Sequence, residues 1–260
     1  MQKFTKTALA SAVLLTMSTV AQSALPTFSN EEMPSGDLNV NHAETPLGTN
    51  SYFLYKVDKE MEVKDLDYTL TVTGMPGNQL FATEVLAGAK FTGSKLNVTL
   101  STDATGTGNS MIAALDVEST KPVTISADAV NLKAVSTSTN GKAAYGIASW
   151  NGSTINFTGK SVNVSYETAT DRKDDKTQYN ESSAISAIKG GTINFGETTD
   201  LTIIGKGTGT TQTTPTTEGE HACPGNYTGA AMMYGIKMEG GTVTAAGNTN
   251  ITLTGVGNRV

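Results

Sequence analysis

The sequence has a single cysteine, Cys223, so no disulfide can form within the chain. Small exported domains usually depend on several bridges, and stability here must come from packing instead. Histidine is almost as scarce, with only His42 and His221, which leaves few imidazole bases for Ser-His-Asp chemistry. Neither Gly-Asp-Ser-Gly nor Gly-x-Ser-x-Gly occurs, so the nucleophile motifs of chymotrypsin-like and α/β-hydrolase enzymes are absent. Charged residues make up 16%, against a usual ~25%. Acids outnumber bases by 24 to 18, the wrong sign for binding nucleic-acid phosphates or an anionic membrane surface. Beyond the first residues, no apolar run is long enough to span a bilayer.

What the chain does contain begins with its leader. Lys3 and Lys6 precede an uncharged apolar run from Ala8 to about Ala21, followed by the small residues Ala21, Ser23 and Ala24. This is the pattern of a secretory signal peptide, too short in its apolar part to be a membrane anchor. Cleavage between Ser23 and Ala24 is preferred over cleavage after Ala21, making residues 1–23 the signal. The 27 glycines lift a hydrophobic fraction of 37% into the range of folded domains. Abundant Thr, Ser, Asn and Gly suit strands joined by tight turns rather than helices.

A repeat organises residues 80–260. Tyr145-Gly-Ile-Ala-Ser-Trp-Asn-Gly-Ser-Thr-Ile-Asn-Phe157 resembles Ser183-Ala-Ile-Ser-Ala-Ile-Lys-Gly-Gly-Thr-Ile-Asn-Phe195 and Met233-Tyr-Gly-Ile-Lys-Met-Glu-Gly-Gly-Thr-Val-Thr-Ala245. A second short alternating strand follows each: Val162-Asn-Val164, Leu201-Thr-Ile203 and Ile251-Thr-Leu253. Weaker copies precede them at Phe81 to Leu100 and Met111 to Val135, for about five units in all. Side chains alternate along a strand, so Ile155 and Phe157 share a face, as do Ile193 and Phe195. Stacking the units predicts interior ladders of Ile155, Ile193 and Val243, of Phe157 and Phe195, and of Val162, Val164, Leu201, Ile203, Ile251 and Leu253. One unit cannot bury its own inner face, so several must stack.

The predicted fold is therefore all-β, a right-handed parallel β-helix with insertions after the third strand of each unit. Residues 24–79 lack the repeat and read as an N-terminal cap or irregular β segment, with strands at Ser51 to Val57 and Asp67 to Thr73. Two insertions are long. Tyr166 to Asn180 contains Asp171, Arg172, Asp174 and Asp175, and Gly205 to Gly229 contains Pro215, His221, Cys223 and Pro224. In repeat proteins such insertions often form the binding face.

The signal peptide, the Tyr-Gly-Ile and Gly-Gly-Thr-Ile-Asn-Phe pattern and the lack of cysteine pairs together resemble the passenger regions of Gram-negative autotransporters. The likeness covers most of residues 80–260. It implies export to the outer-membrane surface or beyond, with the periplasm crossed in transit, and adhesion or aggregation as the activity. The partner it implies is a host or bacterial surface ligand, or another copy of the protein. Passengers of this family are followed by a C-terminal outer-membrane barrel. No barrel-like series of ~10-residue amphipathic strands occurs in these residues.

No cofactor, metal or catalytic residue is expected. Glu218, Glu220, His221 and Cys223 lie close in sequence, but a structural zinc site wants four ligands and these read as a solvated loop. The mixed-sign run Asp171 to Lys176 could supply acid and base carboxylates for polysaccharide cleavage, yet such pairs need defined spacing. Trp150, Tyr145 and Tyr234 recur within the repeat, which favours packed aromatics over a sugar-stacking strip. Sequons at Asn97, Asn151, Asn156, Asn163, Asn180, Asn226 and Asn250 arise readily in an Asn- and Thr-rich chain. Two alternatives to the adhesin stand: a carbohydrate-active enzyme, and a structural spacer for a separate effector domain.

Overall fold

The computed structural model describes residues 27–41, 52–74, 79–104, 111–138, 143–169, 171–172, 182–208, 229–230 and 233–255. Among them the chain is all-β, and its long sheets are built from parallel pairs. Alternation of apolar and polar residues creates the strands, and each apolar face needs a neighbour. The chain supplies that neighbour by returning to the same three positions again and again.

Strands are numbered along the chain. The first position holds β1 (Phe28–Ser29), β3 (Tyr52–Val57), β5 (Leu80–Val85), β7 (Met111–Val117), β10 (Ala143–Ser149), β14 (Ser182–Ile188) and β18 (Met233–Glu239), paired in that order. The second holds β8 (Val123–Ile125), β11 (Thr154–Phe157), β15 (Thr192–Phe195) and β19 (Thr242–Ala245). The third holds β2 (Ser35–Asn41), β9 (Ala129–Ser136), β12 (Ser161–Thr168), β16 (Asp200–Gly207) and β20 (Thr249–Thr254). Two long strands, β4 (Met61–Thr73) and β6 (Ala89–Thr102), join the second and third positions into one sheet; β6 pairs with β8 near its start and with β9 towards its end.

Like side chains stack along the interior. Val63, Phe91, Ile125, Phe157, Phe195 and Ala245 form one column, with Phe157 and Phe195 stacked at 4.7 Å between ring centroids. Val123, Ile155, Ile193 and Val243 form the next. Across the third position, Val98, Leu132, Val164 and Ile203 lie in register, fully buried. Each such aliphatic contributes roughly 1.5–3 kcal/mol by leaving water.

Where residues 24–79 are described, their strands continue the same sheets. β2, β3 and β4 pair in register with the strands that follow, placing Leu38 and Val40 on Leu70 and Val72, and Leu66 and Leu70 on Leu96 and Leu100. This part lacks the Gly-Thr corners but keeps the alternation, and alternation is what specifies a strand's buried face.

The last unit differs in register from the sequence alignment. Ile203 lies opposite Ile251, and Leu253 lies opposite Gly205. A Cβ on Gly205 would sit 2.6 Å from both Leu253 Cδ2 and the Tyr166 hydroxyl oxygen, so the missing side chain makes room for large neighbours on both sides. The shift is of two residues and preserves the face. At the first position, Gly146 of the Tyr-Gly-Ile motif packs against the opposite wall, where an added Cβ would lie 2.4 Å from Val164 Cγ1. The corner from β14 to β15 has positive φ at Lys189 and Gly190, and the matching corner from β10 to β11 at Asn151 and Gly152.

Val243, Ile251 and Leu253, expected as interior ladder residues, are not fully buried: Ile251 is 52% exposed. They belong to the last described round, over which no further described strand lies.

Candidate functional site

The connections that vary most in length leave the fold at one corner. The ends of β2, β4, β6, β9, β12 and β16 are stacked on one another, and so are the starts of β3, β5, β7, β10, β14 and β18 that the connections lead to. The connections from β12 to β14 and from β16 to β18 are the longest. A short antiparallel ladder ties those two together: β13 (Asp171–Arg172) pairs with β17 (Gly229–Ala230). Asp171 and Arg172 are thus placed by backbone pairing at that corner. Asp174, Asp175, His221 and Cys223 lie outside the described residues, as do His42, Glu218, Glu220 and the cleavage residues Ser23 and Ala24.

Away from that corner, a cleft of about 500 Å³ opens beside the bend at which β4 and β6 begin. Its charged lining is Glu60, Glu62, Lys90 and Lys121, with Pro122 and Thr124 beside them. Glu60 and Glu62 lie two residues apart, hence on one side of an extended chain. Lys121 forms an ion pair with Glu60, and Glu62 accepts a hydrogen bond from Thr92 Oγ1 at 2.6 Å. Lys90, in register with Glu62, makes no ion pair among the described residues. Such a cleft offers carboxylate acceptors for hydroxyl groups and one unneutralised ammonium for an anion.

The outward side of the first sheet carries a second unusual group. Phe81, Met111, Ala113, Ala143, Tyr145 and Ala148 form a buried cluster with Phe53 and Trp150 packed against it. Tyr145 and Tyr234 both face Ser183 in register, and Tyr145 is buried. Tyr145 and Trp150 are packed in this face, and Tyr234 is half-buried in β18. In the same face Asp116 is 1% exposed and lies opposite Glu84. Burial holds the Asp116 carboxyl well above its ordinary range, and the nearby Glu118 and Glu84 raise it further. The Trp150 indole opposes the shift without completing a hydrogen bond. Burial also raises Glu84; Lys56 opposes that shift and Glu118 adds to it.

The remaining outward face is ordered by amide ladders. Asn163 Nδ2 donates to Asn131 Oδ1 at 3.0 Å, Asn194 Nδ2 to Asn156 Oδ1 at 2.9 Å, and Asn97 Nδ2 to Asp67 Oδ1 at 2.7 Å. Of the described sequon asparagines, Asn97, Asn156 and Asn163 lie within strands and serve as rungs, Asn250 lies within β20, and Asn151 sits in the corner before β11 at positive φ. Among the described residues no group of three or more His, Cys, Asp or Glu could hold a metal ion. Nor is any described helix long and apolar enough to cross a membrane.

Sequence reasoning missed the cleft, because its four charges come from three separate stretches that only strand pairing brings together. The one available signal was the placement of Glu60, Glu62 and Lys90 beside strands whose neighbouring positions are apolar. Asp116 carried a clearer signal, as a lone carboxylate in Met111-Ile-Ala-Ala-Leu-Asp-Val117, an otherwise apolar strand.

Comparisons with family models, with curated proteins and with solved structures find no match to this chain.

Proposed function

We propose that the chain is a right-handed parallel β-helix of the autotransporter-passenger kind, exported by residues 1–23 and acting without catalysis at or beyond the outer-membrane surface. Its task is adhesion or aggregation, carried out by the connections that leave one corner of the stack. The observation that supports this is the alignment of the longest and most variable connections along a single line. A rigid column presenting a row of loops can engage a host or bacterial surface through many weak contacts, each held at high effective concentration by its neighbours. The acidic balance of the chain speaks against nucleic acid as partner.

The test replaces residues 169–181 and 208–232 with the short connection found at 137–142, and displays both proteins on non-adherent cells. Loss of adhesion with the β-type spectrum retained is the expected result. Unchanged adhesion would overturn the assignment of binding to these connections.

A second reading, a carbohydrate-cleaving enzyme, draws on the cleft with Glu60 and Glu62 on one side and Lys90 beside them. It requires turnover of a polysaccharide that Glu62→Gln abolishes. If no polysaccharide in a broad panel is cleaved, the non-enzymatic reading stands.

A further inference from the structure

The outward row of the second position is interrupted where it enters the cleft. Glu62, Lys90, Thr124, Asn156, Asn194 and Thr244 lie in register on successive strands, which are ~4.8 Å apart. Its far part is closed on itself: Thr244 Oγ1 donates to Asn194 Oδ1 at 2.7 Å, and Asn194 Nδ2 donates to Asn156 Oδ1 at 2.9 Å. At the near end Glu62 is engaged by Thr92. Between them the Lys90 ammonium, the Thr124 hydroxyl and the Asn156 Nδ2 group have no partner among the described residues. Three adjacent rungs thus present unpaired donors, and two of them, Lys90 and Thr124, line the cleft. Its volume of about 500 Å³ is usual for a small-ligand site. The walls are fixed in advance. Glu60 and Lys121 form their ion pair across the middle round, beside Gly88, where an added Cβ would lie 3.1 Å from Lys121 Cβ and 3.5 Å from Glu60 Cγ. Ser119, 2% exposed, accepts from the Lys121 N–H at 3.1 Å and donates to the Lys121 carbonyl at 2.7 Å. Groups already held in place lose little freedom when a ligand arrives.

We propose that the cleft, together with the row leading out of it, binds an uncharged polyhydroxylated chain, a neutral polysaccharide. The charged lining consists of two carboxylates and two ammonium groups, so its formal charge is zero, and the chain around it is acidic. A polyanion drawn to Lys90 meets Glu62 on the next strand, and a polycation drawn to Glu62 meets Lys90. Hydroxyl groups suit both, because each donates and accepts. Thr92 and Lys121 each take only the Oε1 atom of Glu62 and Glu60, which leaves both Oε2 atoms to accept from hydroxyls. Lys90, Thr124 and Asn156 then donate to hydroxyl or ring oxygens along the row. A pyranose ring in an extended chain is about as long as the gap between strands, so successive rings meet successive rungs. Met61, Ala89 and Pro122 give the C–H faces of the rings apolar surface. This site uses none of the corner connections and goes beyond the adhesive role proposed for them. It shares its cleft with the carbohydrate-cleaving reading but needs no turnover.

Native affinity electrophoresis of the purified full chain tests it, in gels containing galactomannan, mixed-linkage β-glucan or soluble starch, each read against a gel without polysaccharide. At least one of these neutral polymers is expected to retard the wild type, and polygalacturonate, the charged comparison, to retard it less. Lys90→Ala and Thr124→Val are each expected to weaken that retardation about five- to tenfold, the loss of one hydrogen bond to the ligand. Asn163→Ala removes a rung of the third position, outside the cleft, and should behave as the wild type. No retardation by any neutral polymer, stronger retardation by polygalacturonate, or undiminished retardation of both cleft variants would overturn the proposal. Reducing ends counted after incubation with the same polymers read the carbohydrate-cleaving reading separately: binding without new ends sinks that reading and leaves this one standing. The adhesion assay with shortened connections is likewise independent, since those substitutions leave the cleft untouched.

Discussion

Phe157 offers the sharpest test of the stacked interior. It is 1% exposed and lies between Ile125 and Phe195, with its ring 4.7 Å from that of Phe195 at an interplanar angle of 13°. Truncating a buried phenylalanine to alanine typically costs about 3–5 kcal/mol, because transfer free energy is lost and the cavity closes only in part. The lost stacking with Phe195 contributes about 0.5–1.5 kcal/mol within that total. Relief by collapse is limited, since parallel strands on both sides fix the backbone. At roughly 2–4 °C per kcal/mol for a domain of this size, Phe157→Ala should lower the melting temperature by about 10 °C or more. Ile204→Ala is the control, as Ile204 points outward and is 44% exposed, and surface changes are usually worth less than about 0.5 kcal/mol. Thermal unfolding followed by far-ultraviolet circular dichroism measures both. Equal effects of the two substitutions would refute the interior placement of Phe157 and the column it belongs to.

Further expectations concern single contacts. Asp116 has a folded-state pKa raised by burial, so the native state binds the extra proton; its contribution is complete at low pH and is lost as pH rises from the ordinary carboxylate value through the raised one. Relative to Asp116→Asn, the wild type should therefore lose stability as pH rises, and a difference in melting temperature that is flat from pH 4 to 8 would contradict this. Gly146→Ala places a methyl group against Val164 and should cost about 1–3 kcal/mol in chemical denaturation, a loss that Val164→Ala in the same chain partly restores. Tyr68→Phe removes the 2.7 Å hydrogen bond to the buried Thr83 hydroxyl and should cost about 1–3 kcal/mol, with Tyr68→Phe/Thr83→Val closer to the wild type.

The parts of the fold visible in the sequence were those where period-two alternation coincided with a repeated corner. Thr154-Ile-Asn-Phe157 and Thr192-Ile-Asn-Phe195 pair residue for residue because Gly152 and Gly190 fix the turn before each. Residues 28–73 were harder to place, since β4 carries one long alternating run through the bend, with Asp65 at positive φ in place of a Gly-Thr corner. The register of β20 was hidden for another reason. Ile251-Thr-Leu253 matches Leu201-Thr-Ile203 in pattern, and only the space above Gly205 selects the alignment shifted by two. Charges such as Glu62, Lys90 and Lys121 meet through pairing across many residues, which no local pattern encodes.

The most direct test of the stacked parallel arrangement is a distance along an outward column. Asp37, Thr69, Thr99, Lys133, Ser165 and Ile204 lie in register on successive strands of the third position. Strands lie ~4.8 Å apart, so nitroxide labels at Asp37→Cys and Ile204→Cys, with Cys223→Ser removing the native thiol, should be separated by about 24 Å plus the label tethers. A single narrow distribution near that distance in pulsed electron-spin resonance is the predicted result. A broad distribution, or one centred far from it, would contradict the register on which the whole account rests.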